Sequence, residues 1–293
     1  MRSLTPASLN RLHSLLRNTL ATVAALAVAA PLLAQEFAIT HCDGACPQYA
    51  SNAVANRAKI VVHHVFAAGL NSDTGLADWV AYRLTKDAVG VASLLPRSWQ
   101  PDRLVAFSDA AEPIDINSSV YSLADIASTG NPYYGSEREI PTSNESRARL
   151  APITSFANTP YWSDLNNLTN MVPMPTPLRS GAWLQLEQAL NEYVVNAETV
   201  NVNVVSGPLF LINQPLSSLA TAGIELAPAA FYKVVATKAG SVAFVFRENL
   251  PQQASFCDQK ASLEELERMT GLIMFPGRDV PESSALLTGL GCK

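Results

Sequence analysis

Positive charge is in short supply. The 293-residue chain has 20 Lys and Arg against 25 Asp and Glu, and charged residues make up only 15% of it. A chain without a basic excess has no long-range pull on nucleic acid as a whole. Any nucleic-acid site must therefore be a local basic cleft on an acidic body. Histidine is scarcer still: His13, His41, His63 and His64 are all there are. That leaves few groups able to exchange a proton near neutral pH. Beyond residue 34 no apolar run approaches the roughly 20 residues that a membrane-spanning helix needs. There is no internal repeat and no low-complexity tract.

What is present suits a folded domain. Hydrophobic residues make up 48% of the chain, enough to bury a core. The first 34 residues read as a secretory signal peptide. Arg2, Arg11 and Arg17 form its basic end, Leu20 to Ala30 its apolar stretch, and Pro31 and Ala34 its cleavage region. The expectation is a mature domain over 35–293, secreted or periplasmic, with no membrane contact. Removing the leader takes away three arginines and no acid, which leaves 17 basic and 25 acidic residues and a net charge of −8. All four cysteines lie in the mature part. An even count in an exported chain points to disulfides Cys42–Cys46 and Cys257–Cys292. The other reading is a metal site with His41 beside Cys42, which wants different spacing.

Strand patterns run over Ile60–Phe66, Trp79–Thr85, Val200–Val205, Phe231–Ala236, Val242–Phe246 and Leu272–Phe275. Residues 86–145 are rich in Pro, Ser, Asp and Asn and read as long loops. A helix is expected over Gly181–Asn196, with Ser180 as its N-cap. A capping box at Ser262–Glu265 opens a second helix through Arg268. Together these give an α+β class in one domain.

Several segments occur in an order and spacing that resemble the ββα-metal superfamily of secreted DNA/RNA non-specific endonucleases. They are Ala77–Thr85, Leu150-Ala151-Pro152, Leu168–Pro173, Gly181–Glu187 and Val205–Leu209, together with the cysteine layout. The resemblance implies a central antiparallel sheet with a long helix after a motif strand. It implies phosphodiester cleavage with Mg²⁺ as cofactor, DNA or RNA as partner, and a homodimer in some members. In that family an Asp-Arg-Gly-His motif precedes Ala-Pro. The histidine is the general base, an asparagine holds the metal, and a glutamate holds the metal's water shell. Such chemistry needs a base near neutral pKa, a cation on the leaving oxygen and donors for developing charge.

In this chain the motif reads Ser146-Arg147-Ala148-Arg149. The motif arginine is Arg147, but Arg149 stands in the base position, and a guanidinium stays protonated at any working pH. The metal-ligand asparagine is replaced by Arg179, which offers Mg²⁺ a repelling charge and no oxygen. Glu187 matches the family glutamate, Asn170 a supporting asparagine and Arg97 a phosphate-contacting arginine. A further family arginine falls at Asn191. Arg147, Arg149 and Glu187 thus occupy the catalytic positions. Arg97, Arg147 and Arg179 are the phosphate candidates, and Asn170 and Glu187 are what remains for a metal. An ion pair of Glu187 with Arg149 or Arg179 is expected where the metal would stand. Trp79, Trp99 and Trp183 are expected in the core. The leading expectation is an impaired nuclease that can still hold nucleic acid or phosphate. The alternatives are an active nuclease with a variant site, and an interaction protein with no nucleic-acid role.

Overall fold

The computed structural model describes residues 39–42, 44–51, 58–71, 77–100, 102–107, 147–196, 201–210 and 228–293. The expected leader, Ser146 and most of the 86–145 loop region lie outside the described residues. Residues Ala38–Lys293 form one unit by their contacts.

The central sheet has seven strands. They are β2 (Ala58–Val62), β3 (Ala67–Asn71), β4 (Ala77–Leu84), β7 (Val202–Leu209), β8 (Ala230–Thr237), β9 (Gly240–Arg247) and β10 (Lys260–Ala261). Two short pairs stand apart from it: β1 (Gln48–Tyr49) with β11 (Leu272–Ile273), and β5 (Arg147–Arg149) with β6 (Met171–Pro173). The sheet order is β10-β9-β8-β7-β4-β3-β2, and every pairing is antiparallel. The helices are α1 (Arg103–Phe107), α2 (Thr176–Ser180), α3 (Ala182–Asn196), α4 (Leu263–Thr270) and α5 (Ser284–Gly289).

Strands β7 and β8 are buried at every residue, so they need cover on both faces. On one face α3 lays down Trp183, Leu186, Leu190 and Val194, spaced three and four apart. They join a core with Tyr82, Leu84, Val204, Phe231 and Val235. Alternate residues turn to the other face. There Trp79, Val205, Tyr232 and Val234 meet Leu266 of α4, Leu272, Met274 and the Cys42–Cys46 disulfide. Both expected disulfides are formed, and Cys257–Cys292 ties the C-terminus beside α5. The α+β class and the long helix after the motif strand are as expected.

Three boundaries differ, each for a local reason. The run Ile60–Phe66 holds only the end of β2, because the chain turns at His63–Phe66, where the His63 N–H donates to the Phe66 carbonyl, and β3 begins at Ala67. Ser180 does not cap α3. It closes the preceding short helix, where its hydroxyl donates to the Thr176 carbonyl, and α3 begins after Gly181. A Cβ on Gly181 would lie 2.5 Å from the Gln252 carbonyl oxygen, so this junction admits only glycine. The Leu272–Phe275 pattern yields only β11, which pairs with β1 and not with the main sheet. The Ser262 cap does form: its oxygen accepts from the Glu265 N–H, and α4 runs on to Thr270.

Candidate functional site

β5 carries the motif. Ala148 is buried, while Arg147 and Arg149 are half-buried and, two apart on a strand, share its other side. The turn that follows is pinned by one side chain. Asn170 is fully buried, and its Oδ1 accepts from the Ala151 N–H at 2.8 Å. Its Nδ2 donates to the carbonyls of Ala151 and Leu165. Both ends of the amide are thus spent on main chain, which gives Asn170 a structural part in holding the motif. Asn170→Ala leaves three buried main-chain groups short of a partner. It is expected to lower stability by about 1–3 kcal/mol, read as a shift in the urea midpoint with unchanged slope.

Arg149 is held from several sides. Its guanidinium donates to Asn166 Oδ1 at 2.6 Å, to the Arg97 carbonyl at 3.0 Å and to the Leu165 carbonyl at 3.2 Å. It lies over the Trp99 ring, 4.2 Å from the centroid. Trp79 and Trp183 are core residues as expected, but Trp99 is only partly buried and serves as the platform for this cation. Burial and the nearby charge of Arg97 pull Arg149 down to about 10, with Glu187 opposing and Arg179 adding to the fall. Even so, Arg149 is a cation throughout the neutral range.

Arg149 therefore lies within reach of the charges of Arg97, Glu187 and Arg179. Arg97 is exposed. Arg179, on α2, has its Nε buried without a hydrogen-bond partner among the described residues. Asn191, at the place of a further family arginine, accepts from Ser155 Oγ at 2.7 Å and donates to Thr154 Oγ1. That residue ties α3 to the turn after the motif.

Glu187 is buried at the interface of α3 with the sheet, but its direct partner is neither Arg149 nor Arg179. It is Lys233, in the middle of β8, whose Nζ donates to Glu187 Oε1 at 3.2 Å. The same Nζ donates to the Leu150 carbonyl and to Tyr82 Oη, and lies 3.9 Å from the centre of the Trp183 ring. Burial pushes Glu187 up and Lys233 down, and each opposes the other's shift. Sequence reasoning missed Lys233. The available signal was a lysine inside the apolar run Ala230–Ala236, where a charge must find a partner.

The histidines lie elsewhere. His63 is buried, with Nε2 on Asp102 Oδ2 at 2.7 Å and Nδ1 facing Asn167 Nδ2 at 3.4 Å, so both ring nitrogens are occupied. His41 contacts the His63 carbonyl. Neither lies on the Arg149 guanidinium, whose hydrogen-bond partners are Arg97, Leu165 and Asn166.

The family model described as DNA/RNA non-specific endonuclease matches residues 48–280. This chain belongs to that family. It is 30% identical over 290 residues to a nuclease of Serratia marcescens, covering 94% of this chain and 98% of that one. It is 26% identical over 218 residues to the mitochondrial nuclease EXOG of Mus musculus, covering 69% of this chain and 52% of that one. Among solved structures, a crystal structure of the EndoG/EndoGI complex matches with a TM-score of 0.54 at 17% identity. That match covers 75% of this chain and 86% of that one, and supports the shared fold. Members of this nuclease family act on nucleic acid and generally depend on a divalent metal. No helix among the described residues is long and apolar enough to cross a membrane.

Proposed function

We propose that this chain is an exported family member that holds nucleic-acid phosphate in an arginine cleft and has lost metal-dependent cleavage. The observation that carries the reading is Arg149, a cation fixed by three hydrogen bonds and Trp99 where the family has its base. The residues do not fit Mg²⁺. Arg149 brings positive charge to Glu187, whose carboxylate already accepts from Lys233, and Asn170 is spent on main chain. Among the described residues no three of His, Cys, Asp and Glu come together as a metal site. Arginine suits phosphate because its planar fork donates two parallel hydrogen bonds. The two disulfides support an oxidising compartment.

The test is a salt titration of duplex DNA binding by the mature protein, residues 35–293. The slope of log affinity against log salt is expected to fall by roughly 0.9 for each phosphate that is no longer neutralised. Arg149→Ala/Arg179→Ala should therefore cut it by about 2 and weaken binding at least tenfold. An unchanged slope and affinity in the double variant would mean that these arginines do not hold phosphate.

A further inference from the structure

The two segments that hold Arg149 also wall a second feature. Residues 97–103 touch Arg149 through the Arg97 carbonyl and Trp99, and residues 164–170 touch it through Leu165 and Asn166. Both segments also line a cavity of about 850 Å³, with Gln100, Asp102 and Arg103 from the first and Asp164 and Asn167 from the second. That size lies within the roughly 300–1,000 Å³ of small-molecule sites.

One wall of the cavity includes the His64 ring. His64 stacks on Tyr161 with centroids 4.0 Å apart and planes 4° from parallel. Its Nδ1 is held by Asp164 Oδ2 at 2.9 Å, and its main-chain N–H donates to the same oxygen. The ring is thus fixed by one nitrogen and one face, yet its side chain is 62% exposed and lines the cavity. Tyr161 covers one face of the ring. The inner wall is rigid and polar. Buried Asp102 accepts from His63, Thr169 and the Leu104 N–H. Asn167 is fixed between His63 and Gln100. Gln100 spends its Nε2 on Ser163 and Asn167, which leaves its Oε1 as an acceptor. Arg103 adds an exposed cation at the rim.

We propose that this cavity is a nucleobase subsite for single-stranded nucleic acid. An unpaired base lies on the face of His64 away from Tyr161, its edge meets the polar wall, and its phosphates reach Arg149 on one side and Arg103 on the other. Stacking on an aromatic face tolerates any base, because every base presents a π-face. A paired base cannot enter without leaving its stack, at a cost of unpairing and unstacking. The cavity therefore selects single strands over duplex. Such a subsite deepens the phosphate-cleft reading and rests on it for the phosphate contacts.

Two probes keep the readings apart. Fluorescence anisotropy with a labelled oligothymidylate and a labelled duplex reports each form. His64→Ala and Tyr161→Ala should each weaken single-strand binding roughly tenfold and leave duplex binding within about twofold. His64→Phe keeps the ring and should keep most of the affinity. Arg149→Ala/Arg179→Ala should weaken both forms. Single-strand affinity unchanged by His64→Ala and Tyr161→Ala, or lost equally with duplex affinity, would overturn the subsite. The second probe is adenosine, which has no phosphate. It should shift the His64 ring-proton signals in NMR spectra of the mature protein. No shift at saturating adenosine would overturn the subsite whatever the oligonucleotides do. A shift without any duplex binding would uphold it and remove the phosphate reading instead.

Discussion

Lys233→Met is expected to lower the folding stability by about 3–5 kcal/mol, the usual consequence of removing one partner of a buried ion pair. Methionine keeps most of the volume, so the loss is electrostatic and not a cavity. It leaves Glu187 charged under α3 without the ammonium that donates to it, and it strips a donor from the Leu150 carbonyl and Tyr82. The pH dependence has a definite sign. Burial already raises the Glu187 carboxyl above its ordinary range, and Lys233 is the main group pulling it back. Without Lys233 the folded-state value rises further. A group raised on folding contributes stability below its unfolded value, and that contribution is lost as pH rises through the folded value. The deficit of Lys233→Met should therefore be greatest above the raised folded-state value of Glu187 and shrink as pH falls toward the unfolded value of about 4.3. Lys233→Met/Glu187→Leu should recover most of the loss, since a buried pair is often replaceable by apolar residues at little cost. Urea melts of the wild type, both single variants and the double variant across pH decide it. A deficit that does not depend on pH, or a double variant as weak as Lys233→Met, would mean that the pair is not the source.

The fold was legible where one rule governed a whole segment. Val200–Val205 and Phe231–Ala236 read as strands because apolar and β-branched residues dominate them, and Gly181–Asn196 shows its helical stripe at Trp183, Leu186 and Leu190; the structure places β7, β8 and α3 over these runs. Local competition hid the rest. Ser180 looks like a cap in sequence, yet a neighbouring five-residue helix claims its hydroxyl. Arg149 and Arg179 were singled out through the motif spacing alone, and the charge of Arg149 does reach Glu187. Their partners were not. Lys233 lies 46 residues from Glu187 and Asn166 lies 17 from Arg149. Such pairings are fixed only when the sheet and the turn are assembled. The His64–Tyr161 platform was hidden for the same reason, because two surface rings in separate loops announce nothing until they stack.

Plasmid DNA and RNA should survive the wild-type mature protein with Mg²⁺ or Mn²⁺ present, while Arg149→His/Arg179→Asn should cut both. Each wild-type arginine blocks a different requirement. Arg149, at about 10, remains a cation at working pH and takes no proton. A histidine there has an ordinary value near 6.5, and Asn166 Oδ1 and the Leu165 carbonyl remain as acceptors to orient it. On the proposed reading, Arg179 brings charge to the position where the resemblance puts the metal-holding asparagine. Asparagine supplies an amide oxygen there and removes one repelling cation. The two changes together lower the positive charge of the site by up to two and restore both kinds of group. Neither is sufficient alone, so each single variant should remain silent while the double is active, a strongly non-additive result for residues that act as a unit. Activity should vanish with chelator and with Glu187→Ala. Cleavage by the wild type would show that Arg149 does not disable the site. A silent double variant that still folds and still binds DNA would shift the cause to Ser146 and Ala148, the other two departures in the motif, and would end the two-position account of how this nuclease scaffold lost its chemistry.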